Sequence, residues 1–226
     1  MQKKTSPQIL CQKIADIIRQ KITIGELPPG ERLSEATLSE QLEISRNTLR
    51  EVFRILTQEG LLTYKPNRGV FVSVPDMASI MDIYRVRRLI ECDALRHAYP
   101  MHPAISRMQD NVNQAKMFRQ QKDWNSVGTC NMHFHTAIVE LSDSPRLFKQ
   151  YQLILAELRL AFGLLNDPQL LHAPYIEKNE HILTLLMNGK AQEAAIEMES
   201  YLEISERTVL AAFFSPQHLL ISTKNR

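Results

Sequence analysis

Glycine is scarce in this chain, and so are cysteine and tryptophan. Of 226 residues only seven are glycine, and four of these, Gly25, Gly30, Gly60 and Gly69, fall in the first 75. The rest of the chain has few residues suited to tight turns, which favours long helices over a many-stranded sheet. The three cysteines, Cys11, Cys92 and Cys130, are isolated and odd in number. With no CxxC pair they suggest neither a disulfide framework nor a zinc ribbon. They read as small buried apolar residues of a cytoplasmic, reducing compartment. Long apolar runs are also missing. The greasiest stretch, LILAELRLAFGLL at 153–165, is broken by Glu157 and Arg159, so no membrane span is expected. The basic N-terminus MQKKTSPQIL leads into an apolar run that stops at Cys11, which does not fit a signal peptide.

A strong charge of either sign is absent too: the formal net charge is +2. Residues 1–75 carry eleven Lys and Arg against eight Asp and Glu, and the remainder sixteen against seventeen. A mildly basic head on a near-neutral body permits a polyanionic partner without demanding one. The length suits one large or two modest domains. SVPDM, with Pro75, marks the junction, giving units 1–75 and 76–226.

What the first unit does have is a series of short, well-punctuated elements. Ile9, Leu10, Ile14, Ile17 and Ile18 recur at helical spacing and predict a helix over 8–23. GELPPGERLS breaks it. Ser34 then caps a short helix over 34–42, with Leu33 and Leu38 as a hydrophobic staple. The arrangement repeats eleven residues later: Ser45 caps a helix over 45–59, Ile44 and Leu49 form the staple, and Gly60 stands at the C-terminal cap. The turn at Glu43 and Ile44 is short enough for a helix-turn-helix. At about 100° per residue, Leu49, Val52, Phe53 and Leu56 make one face of the second helix. Arg46, Asn47, Arg50 and Arg54 make another, which must look outward. LLTYKPNRGVFVSV then alternates as strand, turn and strand, with PNRG as the turn and Arg68 and Gly69 at its tip.

This order of elements, with a basic outer face on a capped helix, fits a major-groove reader. Arg forks suit guanine, Asn suits adenine, and the hydroxyls of Ser45 and Thr48 suit phosphates at the helix N-terminus. The competing reading is a solvated basic face without a partner. The segment PPGERLSEATLSEQLEISRNTLREVFRILTQEGLLTYKPNRGVFV resembles the winged-helix domain of GntR-family transcription regulators. SRNTLRE and the NRG wing tip are its most specific pieces. The resemblance implies that Arg46 and Arg50 read or clamp double-stranded operator DNA, with Ser45, Asn47, Thr48, Arg68 and Gly69 in support. Many members carry an arginine early in the second helix where this chain has Ala36. Either that contact is absent or Arg32 replaces it.

Beyond Pro75 the pattern is helical, with helices predicted over 77–99, 103–121, 123–141, 145–166, 175–188 and 190–213. Short connections between them predict an antiparallel bundle. The fold class is therefore mainly α: three helices and a β-hairpin wing, followed by an all-α bundle. VRRLIE, NMHFHTAIVELSDSPRL and EHILTLLMNGKAQEAAIEMESYL resemble the FCD ligand-binding domain of FadR-like GntR regulators. Many such domains hold a divalent metal, such as Zn or Ni, with one Asp and three His, and the metal holds a carboxylate effector. Here the resemblance places Asn131, His135, His181 and Tyr201 at those positions, so only His135 and His181 remain as ordinary ligands.

Asn131 and His135 share a helix face and border the apolar stripe Val127, Cys130, Phe134, Ile138 and Leu141. Three readings stay open for them: a metal site, a metal-free polar effector pocket, or hydrogen-bonded core histidines. Arg87 and Glu91 are one turn apart. By the resemblance Arg87 lies near the effector, where its fork suits a carboxylate; the bland reading is a surface or interhelical ion pair. His133 is expected outside, His102 and His172 in loops, and Trp124 as a packing anchor. The reading that results is a homodimeric, effector-controlled DNA-binding transcription regulator, with repression the commoner mode in the family. The rival is a metal-dependent enzyme centred on His135 and His181, against which there is no HExxH, nucleophile elbow or phosphate loop.

Overall fold

The computed structural model describes residues 7–165 and 167–213. The expected ends of the two units, residues 1–6 and 214–226, lie outside the described residues. The head contains α1 (Pro7–Thr23), β1 (Arg32–Leu33), α2 (Glu35–Gln41), α3 (Arg46–Gln58), β2 (Leu62–Lys65) and β3 (Gly69–Val72). Ser34 and Ser45 cap α2 and α3 as expected, their hydroxyls accepting from Thr37 N at 3.3 Å and Thr48 N at 3.1 Å. The turn between these helices is a Schellman closure. Ile44 N donates to Ser39 O at 3.0 Å and Glu43 N to Glu40 O at 3.2 Å, with Glu43 held at φ +52°. This fixes the entry of α3. Leu49, Val52, Phe53 and Leu56 all face the core, beside Ile14, Ala15, Ile18 and Ile22 of α1.

The wing has one strand more than expected. β1 adds to the edge of the hairpin, giving an antiparallel sheet of order β1-β3-β2, with Arg32 opposite Phe71 and Leu33 opposite Val70. Two residues give almost no alternation to read, so β1 has no sequence signal of its own. At the tip, Arg68 N donates to Lys65 O at 3.0 Å, and Asn67 takes a left-handed φ of +60° after Pro66. Pro then Asn at the two central positions is the pattern of a type II turn.

The bundle consists of α4 (Met77–Arg96), α5 (Pro103–Gln120), α6 (Trp124–Glu140), α7 (Pro145–Gly163), α8 (Pro168–Met187) and α9 (Ala191–Phe213). α6 packs on α4, α5, α7 and α8 and is the central helix. Three boundaries differ from expectation. α4 stops at Arg96, α7 stops at Gly163, and α8 begins at Pro168 rather than at 175. Pro174, just before the expected start, sits inside α8. The helix runs through it because Asp167 Oδ1 caps Leu170 N at 2.9 Å and because Leu171 and His172 give the leading turn a buried face. His172 is therefore buried in a helix, and His102 is the buried N-cap of α5; neither lies in a free loop.

Head and bundle meet along α7. Ala156 and Leu160 are buried in the same apolar cluster as the core of the head. Pro29 packs so closely on Gly163 that an added Cβ there would fall 2.8 Å from its Cδ. Since Leu160 is 1% exposed, Leu160→Ala is expected to lower stability by about 2–5 kcal/mol. Urea unfolding checks this, and a change within error would mean that α7 is not part of the core of the head.

Candidate nucleic-acid interface and bundle site

On the outer side of the head, Arg46, Asn47, Arg50 and Arg54 are exposed on α3. Arg50 Nε donates to Glu35 Oε2 at 2.9 Å, which leans its guanidinium toward α2, and Arg54 pairs with Glu51 at 2.8 Å. Arg46 and Arg68 have no ion-pair partner among the described residues. Ser45 Oγ and Thr48 Oγ1 lie 2.8 Å apart, so one donates to the other and one hydroxyl proton stays available at the N-terminus of α3. Arg32 lies over the wing: a Cβ added at Gly69 would be 3.6 Å from its Nε. It thus lies with Arg68 at the wing.

Inside the bundle a second group forms around Glu91, which is fully buried on α4. Its Oε1 accepts from Arg87 Nε at 2.7 Å and Tyr151 Oη at 2.5 Å, and its Oε2 lies 2.6 Å from His135 Nδ1. The Arg87–Glu91 pair is therefore an intrahelical pair within the core, neither at the surface nor between helices. Burial pushes the Glu91 carboxyl up, but the charge of Arg87, that of His135 once acid protonates it, and hydrogen bonds from His135 and Tyr151 outweigh it and hold it near 2. Burial, more than any neighbour, lowers the pKa of His135. A neutral ring that donates from Nδ1 to Glu91 presents Nε2 as an acceptor to Tyr201 Oη at 2.9 Å. Asn131 Oδ1 lies 3.0 Å from the same hydroxyl and accepts from Asn179 Nδ2 at 2.7 Å. Tyr201 thus has one proton for two acceptors.

The expected residues come together in part. Arg87, Asn131, His135 and Tyr201 share this cluster, whereas His181 is exposed on α8. Asn179 occupies the place that His181 was expected to fill. The signal was present in the sequence: Ile182, Leu183 and Leu186 follow Asn179 at i+3, i+4 and i+7, so Asn179 is on the buried face and His181 about 200° around from it. A metal centre built on His135 and His181 does not assemble. Both ring nitrogens of His135 are engaged, Glu91 is committed to Arg87, and the remaining groups are neutral amides and a phenol. No group of three His, Cys, Asp or Glu among the described residues is placed to hold a metal ion. The space beside the cluster, about 10 Å³, matches one water molecule and not an organic effector.

Residues 10–72 match the family model described as "Bacterial regulatory proteins, gntR family", and residues 82–203 match that of the FCD domain. The chain belongs to the GntR family. The Nta operon transcriptional regulator of Aminobacter aminovorans is 31% identical over 173 residues, covering 74% of this chain and 79% of the relative. The transcriptional repressor RspR of Escherichia coli K12 is 28% identical over 134 residues, 58% of this chain and 59% of its own length. Among solved structures, one described as a GntR transcriptional regulator from Rhodococcus sp. RHA1 superposes with a TM-score of 0.83. It is 35% identical, covering 89% of this chain and 98% of its own. This GntR protein is accordingly a DNA-binding transcriptional regulator with an FCD effector domain, and not a metal-dependent enzyme. No described helix is long and apolar enough to cross a membrane.

The buried groups give the fold an acid response. His172 is held near pKa 3 by burial and then by Arg159, so the unfolded chain takes up its proton first, and stability falls as pH drops from 6.5 toward 3. Glu91, depressed from 4.5 to about 2, contributes stability above pH 4.5 that is lost as pH falls toward 2. Urea titrations across this range should show both stages. Glu91→Gln, which strands Arg87, should lose the lower stage and cost about 3–5 kcal/mol at neutral pH. Parental stability in that variant would contradict this account of the cluster.

Proposed function

We propose that residues 1–75 read a near-palindromic operator as half of a homodimer and that residues 76–226 carry the effector response, in the cytoplasm. The observation that carries this reading is the exposed basic face of α3 beyond its capped N-terminus, with Arg46 unpaired among the described residues and two more arginines on the wing beside it. In this reading the N-terminal turns of α3 enter the major groove. Arg46 and Asn47 approach base edges there, and Arg50 does so once it exchanges Glu35 for DNA. Ser45 and Thr48 bind phosphate where the helix dipole favours an anion. Arg54 approaches the backbone further along the helix. Arg32 and Arg68 reach the adjacent groove or phosphates, with Gly69 letting the wing backbone come close. One head spans a half-site, so two copies related by a twofold axis give a palindrome. Repression is the favoured mode, since a bound dimer covers its site. Ligand control operates as a shift in population between placements of the two heads.

Arg46→Ala and Arg50→Ala are each expected to weaken operator binding by about 1–3 kcal/mol and to flatten its salt dependence. Both residues are exposed, and Arg50 gives up only a surface pair worth about 0–1 kcal/mol, so thermal stability should hold. Fluorescence anisotropy with a labelled operator at two salt concentrations reads both effects. Parental affinity in both variants would remove α3 as the recognition helix. Sedimentation of the complex should give two chains per duplex, and one chain per operator would refute the dimer.

A further inference from the structure

The space beside Asn131 and His135 in the bundle is only about 10 Å³, whereas the seam between head and bundle is roomier. Beneath the C-terminal end of α1 lies a cleft of about 250 Å³. Its surface is polar and apolar in about equal parts, the apolar part coming from Ile22, Leu27 and Pro29 of the head and Leu160 and Phe162 of α7. Two buried polar groups line it, Arg159 at 7% exposure and His172 at 4%. The guanidinium of Arg159 has no carboxylate partner among the described residues. The bond from its Nη2 to Ile24 O is long, at 3.4 Å. His172 makes an edge contact with Phe162 and no hydrogen bond among the described residues. Both groups gather over Gly128 of α6, where an added Cβ would fall 2.5 Å from His172 Nε2 and 2.8 Å from Arg159 Nη1.

A buried guanidinium without a counter-charge is costly, and the usual remedy is an anion. Arg87, the other deeply buried arginine, has its own in Glu91; Arg159 does not. We propose that this cleft is the binding site of an anionic effector, an organic carboxylate with an apolar body, held by Arg159 and His172. A carboxylate matches the guanidinium fork, and the neutral imidazole has one N–H to donate. The walls take the hydrocarbon part. The inference deepens the effector reading above and rests on it, but it moves the ligand from the interior of the bundle to the junction.

The placement also supplies the coupling. Arg159 touches the backbone of the head: a Cβ at Gly25 would be 3.0 Å from its Nη2. Its neighbours Ala156 and Leu160 belong to the core of the head. A ligand that draws the guanidinium away from Ile24 and fills the cleft acts on the contact that sets how the head sits. His172 also borders the space beside Asn131 and Tyr201, so it stands between the junction and the central cluster.

The test uses the full chain and cyclohexanecarboxylate as probe, with the neutral cyclohexanecarboxamide as control. Binding is followed by calorimetry and by emission of Trp124, the chain's only tryptophan, which adjoins Asn125 in the cleft wall. The carboxylate should bind saturably in the millimolar range or better, and the amide should not. Arg159→Gln should weaken binding by roughly tenfold or more. Arg159→Lys should recover part of it. Gly128→Ala, which puts a methyl where the two polar groups meet, should also weaken it while circular dichroism stays unchanged. Tyr201→Phe should bind as the parent does. If Arg159→Gln binds normally and Tyr201→Phe does not, the ligand sits inside the bundle; the junction site is then wrong and ligand control stands. Absence of saturable binding to the folded parent overturns the junction site outright.

Discussion

The carboxylate of Glu91 accepts from Arg87 on its own helix, His135 on α6 and Tyr151 on α7. Through His135 it reaches Tyr201 on α9, and through Tyr201 and Asn131 it reaches Asn179 on α8. One buried anion therefore sets the relative positions of five of the six bundle helices. In a low-dielectric interior such a group is tolerable only when its partners are placed well, so the packing of the bundle and the geometry of the cluster depend on each other. Asn131, His135 and Tyr201, three of the residues that the family resemblance offers to a metal, are engaged with one another and with Glu91 and Asn179 in this cluster. With neutral amides at 131 and 179 and a phenol at 201, the polar centre serves to order the helices.

Rigidity in the bundle matters for the head because α7 belongs to both. Tyr151 ties α7 to Glu91, while Ala156 and Leu160, one and two turns further on, complete the core of the head. Movement of α7 against α4 and α6 would change how α1 and α3 are held. Arg159 lies on this same stretch. Head and bundle are thus joined by a packed helix as well as by the short connection at 73–76.

Most of the fold could be read from the sequence because its signals are local. Serine caps at 34 and 45, the apolar face of α3, and Asn-Arg-Gly at the wing tip each act within a turn or two. β1 could not be read, since two residues show no period and their partners on β3, Phe71 for Arg32 and Val70 for Leu33, are remote in the chain. The expected start of α8 at 175 is seven residues late, because the buried face that Leu171 and His172 give its leading turn shows only in the structure. The bundle site was legible in its residue types but not in its register. His181 drew attention as a histidine, while the apolar spacing of its neighbours pointed to Asn179. Arg159 gave no signal, because an arginine in an apolar run reads as a solvated interruption until the structure shows that it is buried and unpaired.

If the arginine face of α3 reads DNA in paired half-sites, selection from randomised duplex DNA will reveal it. Incubating the intact protein with a random pool and sequencing the retained fraction should enrich one near-palindromic motif with two half-sites at fixed spacing. Retention of duplexes without any common motif, or of a single half-site without its mate, would contradict the account.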